Sequence, residues 1–190
     1  LKSLSEAHRH GVVHRDLKPE NIFLCEMFGE KDYVKVLDFG VAKMTMMDAD
    51  EDAEPEETLT KAGRIFGTPM YMAPEQACAE EITPATDVYA LGLLLFEIMT
   101  GKPPVTGRNR MDVIHKQIRD PVPELTGDLE DTPIGEVIRR ACMKDEDRRY
   151  QTAAEFLESF VPALRDMEIF PAPKGGTSPE VSVTSLTPEG

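Results

Sequence analysis

At 190 residues the chain is long enough for one domain of ordinary size with a real core. A formal net charge of −14 argues against nucleic acid as the main partner and against docking on an anionic membrane surface, since both need clustered Lys and Arg. No apolar run reaches the ~18–20 residues of a membrane span, and the three cysteines, Cys25, Cys78 and Cys142, odd in number and without paired spacing, read as reduced thiols of a cytosolic protein.

The start, Leu1-Lys2-Ser3-Leu4-Ser5-Glu6-Ala7-His8, has no apolar core or cleavage site, so no signal peptide is expected. It also lacks a methionine, which suggests a fragment or a partial gene model. Residues 1–10 look like the end of a helix, with Leu1, Leu4 and Ala7 at helical spacing and Gly11 as its stop. Next comes His14-Arg15-Asp16-Leu17-Lys18-Pro19-Glu20-Asn21. The strand-like runs 22–24 and 33–37 flank a polar segment with Gly29 and read as a hairpin. That hairpin would hold Asn21 at one end and Asp38 of Asp38-Phe39-Gly40 at the other.

Residues 44–60 are acidic: Asp48, Asp50, Glu51, Asp52, Glu54, Glu56 and Glu57 stand with no basic residue among them. Like charges repel, and the stretch has few apolar groups to bury. A long mobile loop and a solvated spacer without a role both fit. The phrase Gly67-Thr68-Pro69-Met70-Tyr71-Met72-Ala73-Pro74-Glu75 follows. A capping hydroxyl at Thr83 and Pro84 in the first turn open a helix that Gly101 ends. Its apolar residues go almost all round, which marks a buried helix. Three amphipathic helices are expected after it. The first, 111–119, has Met111, Ile114 and Ile118 on one face; the second is 134–143; the third, 153–164, carries Phe156, Leu157 and Phe160. Four of the last 24 residues are Pro and six are Ser or Thr, the composition of a disordered tail over 167–190.

The three phrases, in this order, resemble the catalytic loop, metal-binding loop and activation-segment end of a protein kinase. The resemblance covers most of the chain, and it implies a mainly α fold with one or two short β-hairpins: the C-terminal lobe of a kinase over 1–166, with 41–75 as its activation segment. Phosphoryl transfer asks a protein mainly for positioning and charge stabilisation. Asp16 is the candidate catalytic base and Lys18 can offset charge on the transferred γ-phosphate of ATP. Asn21 and Asp38 supply hard oxygen ligands for Mg²⁺, and Phe23 lies on the adenine floor. The run after Asp16 is similar to serine/threonine kinases, in which a threonine matching Thr68 bonds the catalytic Asp and Lys. Arg15 matches an arginine that clamps a loop phosphate, with Thr60 or Thr58 as the modified residue. His14 is read as structural, packing under Phe39. Asp87 matches an aspartate that caps backbone N–H groups near His14 and Arg15. Glu75 is expected to pair with Arg149, 74 residues away.

The resemblance implies ATP, Mg²⁺ and protein Ser/Thr hydroxyls as partners, with a kinase–kinase dimer open. It implies a cytoplasmic location, either outright or as the cytosolic part of a longer membrane-anchored kinase. A complete kinase also has a small lobe with a Gly-rich loop, a strand Lys and a helix Glu, and only 13 residues precede His14. These 190 residues alone are therefore expected to be inactive. A non-catalytic remnant that binds partners through this lobe is the competing reading.

Overall fold

The computed structural model describes residues 1–27, 29–37, 69–122 and 124–167. Asp38, Phe39, Gly40, Thr58, Thr60 and Thr68 lie outside the described residues, as do the acidic stretch and the tail from 168. Among the described residues, six α-helices and one antiparallel hairpin follow in the order α1 (Lys2–Arg9), β1 (Ile22–Met27), β2 (Glu30–Val36), α2 (Pro74–Cys78), α3 (Pro84–Thr100), α4 (Arg110–Arg119), α5 (Pro133–Ala141) and α6 (Ala153–Asp166). The mainly helical architecture with a hairpin after Asn21 is the one expected. The sequence reading lacked α2, and it ended α6 two residues early.

The core is built around α3. Thr83 Oγ1 accepts the Ala85 N–H at 3.2 Å, and the Thr83 N–H donates to Thr86 Oγ1 at 3.4 Å, so both ends of a capping box are made. At the other end Gly101 adopts φ +73 and its N–H returns to the Glu97 carbonyl at 2.7 Å. Between these caps Val88, Tyr89, Leu93, Leu94 and Phe96 are buried, and the apolar surface covers nearly the whole circumference. Such a helix is stable only if other helices enclose it. α5 and α6 pack on α3, and α1 packs on α6.

α5 buries Ile134, Val137, Ile138 and Ala141, the spacing of one helical face. Each of its larger side chains contributes about 1.5–3 kcal/mol by leaving water. Gly92 sets how closely α3 and α5 approach: a Cβ there would meet Cys142 Sγ at 2.7 Å and Ala141 Cβ at 2.8 Å. On α6, Phe156 meets Tyr150 edge-on and stacks with Phe160, each pair with ring centroids 5.5 Å apart.

One helix face differs from expectation. α4 buries Val113, Ile114 and Gln117, and Met111 is exposed. The helix is rotated so that a polar side chain faces the core, because Gln117 finds partners there for every polar atom.

Candidate active site

Residues 12–18 run between α1 and the 3₁₀ turn Pro19–Asn21 with no regular backbone pairing. A partly buried loop of this kind needs partners for its N–H groups. Asp87, in the first turn of α3, supplies them. Its Oδ2 accepts the His14 N–H at 2.7 Å and its Oδ1 accepts the Arg15 N–H at 2.9 Å. Oδ2 also faces His8 Nε2 at 2.9 Å, while His8 Nδ1 lies 3.2 Å from the Ala153 N–H. A backbone N–H can only donate, so Nδ1 is the acceptor and the Nε2–H of His8 donates to Asp87. One imidazole thus ties α1, α3 and α6 together under the loop.

His14 is fully buried and is fixed in the same way. The Asp16 N–H donates to its Nδ1 at 3.3 Å, so its Nε2–H donates to the Leu37 carbonyl at 2.9 Å. Leu37 in turn donates its N–H to the Asn21 carbonyl at 2.9 Å, closing the base of the hairpin. The residue before Asp38 is therefore anchored both to Asn21 and to the loop that carries Asp16.

Arg15 has φ +66, a left-handed conformation that costs a side-chain-bearing residue about 1–2 kcal/mol. Gln76 holds it there by donating from Nε2 to the Arg15 carbonyl at 2.8 Å, while its Oε1 accepts the Ala73 N–H at 3.1 Å. The kink turns Asp16 toward the cleft. Lys18 Nζ donates to Asp16 Oδ2 at 2.8 Å. Asn21 Nδ2 donates to the Asp16 carbonyl at 2.8 Å and reaches Oδ2 at 3.3 Å. With its amide nitrogen committed to Asp16, Asn21 keeps Oδ1 as its acceptor atom. Arg15, Asp16, Lys18, Tyr71, Met72 and Gln76 line one cleft. Arg15 Nε is buried with no hydrogen-bond partner among the described residues. Phe23, two residues past Asn21, lies on β1 with about half its surface exposed (49%).

The turn Pro69–Tyr71 and α2 form the far wall. Tyr71 donates its hydroxyl to Glu97 of α3. Glu75 is buried against Arg149: Nη1 donates to Oε1 at 2.7 Å and Nη2 to Oε2 at 2.9 Å. The other guanidinium N–H groups reach the carbonyls of Met143 at 2.6 Å, Lys144 at 3.0 Å and Ala85 at 3.3 Å. All five donors are used. Burial pushes the Glu75 carboxyl up, but the hydrogen bonds and charge of Arg149 outweigh it and hold the group below its usual range.

The structure thus brings Asp16, Lys18 and Asn21 together, pins them through Asp87 and His14, and sets Glu75 on Arg149. Sequence reasoning passed over His8, Gln76, Gln117 and Lys144. For His8 a signal existed: it follows Leu1 and Leu4 at helical spacing, on the face that packs inward. Among the described residues no helix is long and apolar enough to cross a membrane.

The sequence matches the protein kinase domain over residues 1–161. It is similar to the serine/threonine-protein kinase PknB of Mycolicibacterium smegmatis, 39% identical over 156 residues, which is 81% of this chain and 23% of PknB. Pkn3 of Myxococcus xanthus, also a serine/threonine-protein kinase, is 40% identical over 144 residues, 76% of this chain and 25% of that protein. PknA of Mycobacterium tuberculosis, a third protein of that description, is 35% identical over 189 residues and is covered to 40% of its length. The chain spans less than half of each of these relatives.

Proposed function

The chain belongs to the protein kinase family, and we propose that it carries the catalytic half of a serine/threonine kinase that moves the γ-phosphate of ATP onto protein hydroxyls. One observation carries this reading: the Asp16 carboxylate, with Lys18 and Asn21 converging on it, at the end of a loop whose backbone is locked by a buried aspartate. Asp16 orients the substrate Ser or Thr hydroxyl and takes its proton as the oxygen attacks the γ-phosphorus. The bond from that phosphorus to the β–γ bridging oxygen breaks, and ADP leaves. Lys18, beside Asp16, offsets charge on the phosphoryl oxygens.

Asn21 Oδ1 and Asp38 would hold Mg²⁺, a cation that takes few protein oxygens and keeps waters. The described part of the site fits it, since the Asn21 amide is already oriented by Asp16. The chemistry such a cation would supply is positive charge against the phosphate oxygens. Phe23 offers the apolar surface for the adenine ring, and Thr68 joins Asp16 and Lys18. Arg15 is the receptor for a phosphate on Thr60 or Thr58, and its buried Nε–H, without a hydrogen-bond partner among the described residues, supports that role. The protein acts in signalling, with Ser/Thr proteins as substrates.

The test is phosphate transfer from Mg-ATP to a Ser/Thr protein by the full-length protein that carries this chain. Asp16→Asn should lower kcat by about 10²–10⁴-fold, the usual range for removing a general base. A variant that keeps the wild-type rate would reject the assignment of Asp16, and a wild type without transfer would leave the partner-binding remnant as the better reading.

A further inference from the structure

Away from the catalytic loop, three polar side chains form a largely buried chain that the phosphoryl-transfer step does not use. Gln117 and Tyr89 are both fully buried. The Tyr89 hydroxyl donates to Gln117 Oε1 at 2.7 Å, and Gln117 Nε2 donates to the carbonyls of Pro69 at 3.2 Å and Met70 at 2.7 Å. Lys144 Nζ stands behind them. It donates to the Tyr89 oxygen at 2.6 Å, to the Gln117 carbonyl at 2.7 Å and, at 3.5 Å, to Gln117 Oε1. No carboxylate lies within ion-pair reach of Lys144 among the described residues.

A cation among neutral oxygens is an expensive choice for a structural filler. What an ammonium adds is direction, because it has three donors and no acceptor. Once the Tyr89 oxygen accepts from Lys144, its O–H must point to Gln117. The amide must then present its oxygen to Tyr89 and its nitrogen to the turn. The Pro69 and Met70 carbonyls can only accept and already call the amide nitrogen to the turn; Lys144 holds the other end, by aiming the Tyr89 O–H at Gln117 Oε1 and by donating to the Gln117 carbonyl. The beneficiaries are two carbonyls in the turn whose next residues, Tyr71 and Met72, line the cleft with Asp16 and Lys18.

We infer that Lys144 and Gln117 are positioning residues for the Pro69–Tyr71 turn, and through it for the hydroxyl-bearing substrate in the cleft. This rests on the kinase reading for its substrate, though not for its geometry. Two measurements on the full-length protein test it. In peptide phosphorylation, Lys144→Met and Tyr89→Phe should each raise the KM for the hydroxyl substrate about fivefold, the equivalent of one net hydrogen bond. The KM for ATP should stay unchanged. A residue that only supports the fold would lower stability without that split. In amide exchange, the Met72 N–H, which bonds the Pro69 carbonyl at 3.2 Å, should lose protection in both variants, while the His14 and Arg15 N–H groups keep theirs. Unchanged substrate KM together with unchanged Met72 exchange in folded Lys144→Met overturns the inference. Should that variant not fold, Tyr89→Phe breaks the same chain by removing one oxygen. Should the wild type show no transfer, the kinase reading falls and the exchange arm alone decides the positioning role.

Discussion

Replacing Arg149 with Met would remove five donors at once from a site that water does not reach. Arg149 is 1% exposed and Glu75 is 3% exposed. Two of the donors serve the Glu75 carboxylate and three serve backbone carbonyls. The substitution keeps most of the apolar stem, so the loss is electrostatic rather than a cavity. It leaves a buried carboxylate without a counter-charge, which typically costs about 3–5 kcal/mol. At about 2–4 °C per kcal/mol for a chain of this size, Tm should fall by roughly 6–20 °C.

The expected pattern in a double-mutant cycle is specific. Glu75→Gln strands the arginine in the same way, so each single change is severe. Glu75→Gln with Arg149→Met removes both charges and should cost less than the sum of the singles by at least about 2 kcal/mol. The pH dependence has a defined sign. The folded-state value of Glu75 is depressed, so its stabilisation is present above the ordinary glutamate range and is lost as pH falls through the folded value. In Arg149→Met burial, the largest cause, is opposed only by hydrogen bonds from the backbone and the Thr86 hydroxyl, so that value rises. Protonation then relieves the stranded charge, and the gap between wild type and variant should narrow as pH falls from 7 to 4. Urea unfolding at several pH values measures all of this. A loss below about 1 kcal/mol at pH 7, the scale of an exposed pair, or an additive cycle, would refute the reasoning.

Asp87→Asn puts an NH₂ where Oδ1 or Oδ2 now accepts, so either the His14 or the Arg15 N–H loses its acceptor. Stability should fall by about 1–3 kcal/mol, with faster amide exchange at His14 and Arg15, and unchanged exchange there would count against the anchoring role. Gly92→Ala should destabilise by about 1–3 kcal/mol through overpacking of α3 against α5, since Cys142 and Ala141 leave no room; thermal unfolding reads it. Burial is the main cause that brings the Lys144 ammonium down to about 8 from 10.5, with Arg149, Cys142, Asp120 and Glu75 as the charged or titratable neighbours. Its folded value lies below its unfolded one, so between those values the unfolded state binds more protons and stability rises with pH. Wild type minus Lys144→Met should therefore show a stability difference that climbs from pH 8 to pH 10, and a flat difference excludes the shift.

Much of this site could be read from spacing, because kinase-like phrases fix residue types that the chemistry itself demands. Asp16, Lys18 and Asn21 lie within six residues, and a 3₁₀ turn is enough to bring them together. Glu75 and Arg149 were legible for another reason: each sits in a phrase of its own. The face of α4 was not legible. Met111, Ile114 and Ile118 satisfy the helical period as well as the observed Val113, Ile114 and Gln117. What decides between them is whether a buried amide can be satisfied, and its partners are carbonyls 47 and 48 residues away. α2 escaped notice because five residues are too few to show a period. The spacing of His8 from Leu1 and Leu4 was outweighed by its company in Glu6-Ala7-His8-Arg9-His10, which looks like a solvated surface until α6 closes over it.

α3 touches the site at two places with opposite duties. Asp87 near its start fixes the loop that carries Asp16, and Glu97 near its end holds the Tyr71 hydroxyl. At 1.5 Å of rise per residue the ten steps between them span about 15 Å, so the helix acts as a ruler between the two walls of the cleft. It is also a phase: both acids point where they do because of the number of residues between them. Inserting one residue in that interval would rotate Glu97 by about 100° around the axis and away from Tyr71. Length variation within this fold should then collect before Thr83 and after Gly101, leaving the interval from Asp87 to Glu97 at constant length.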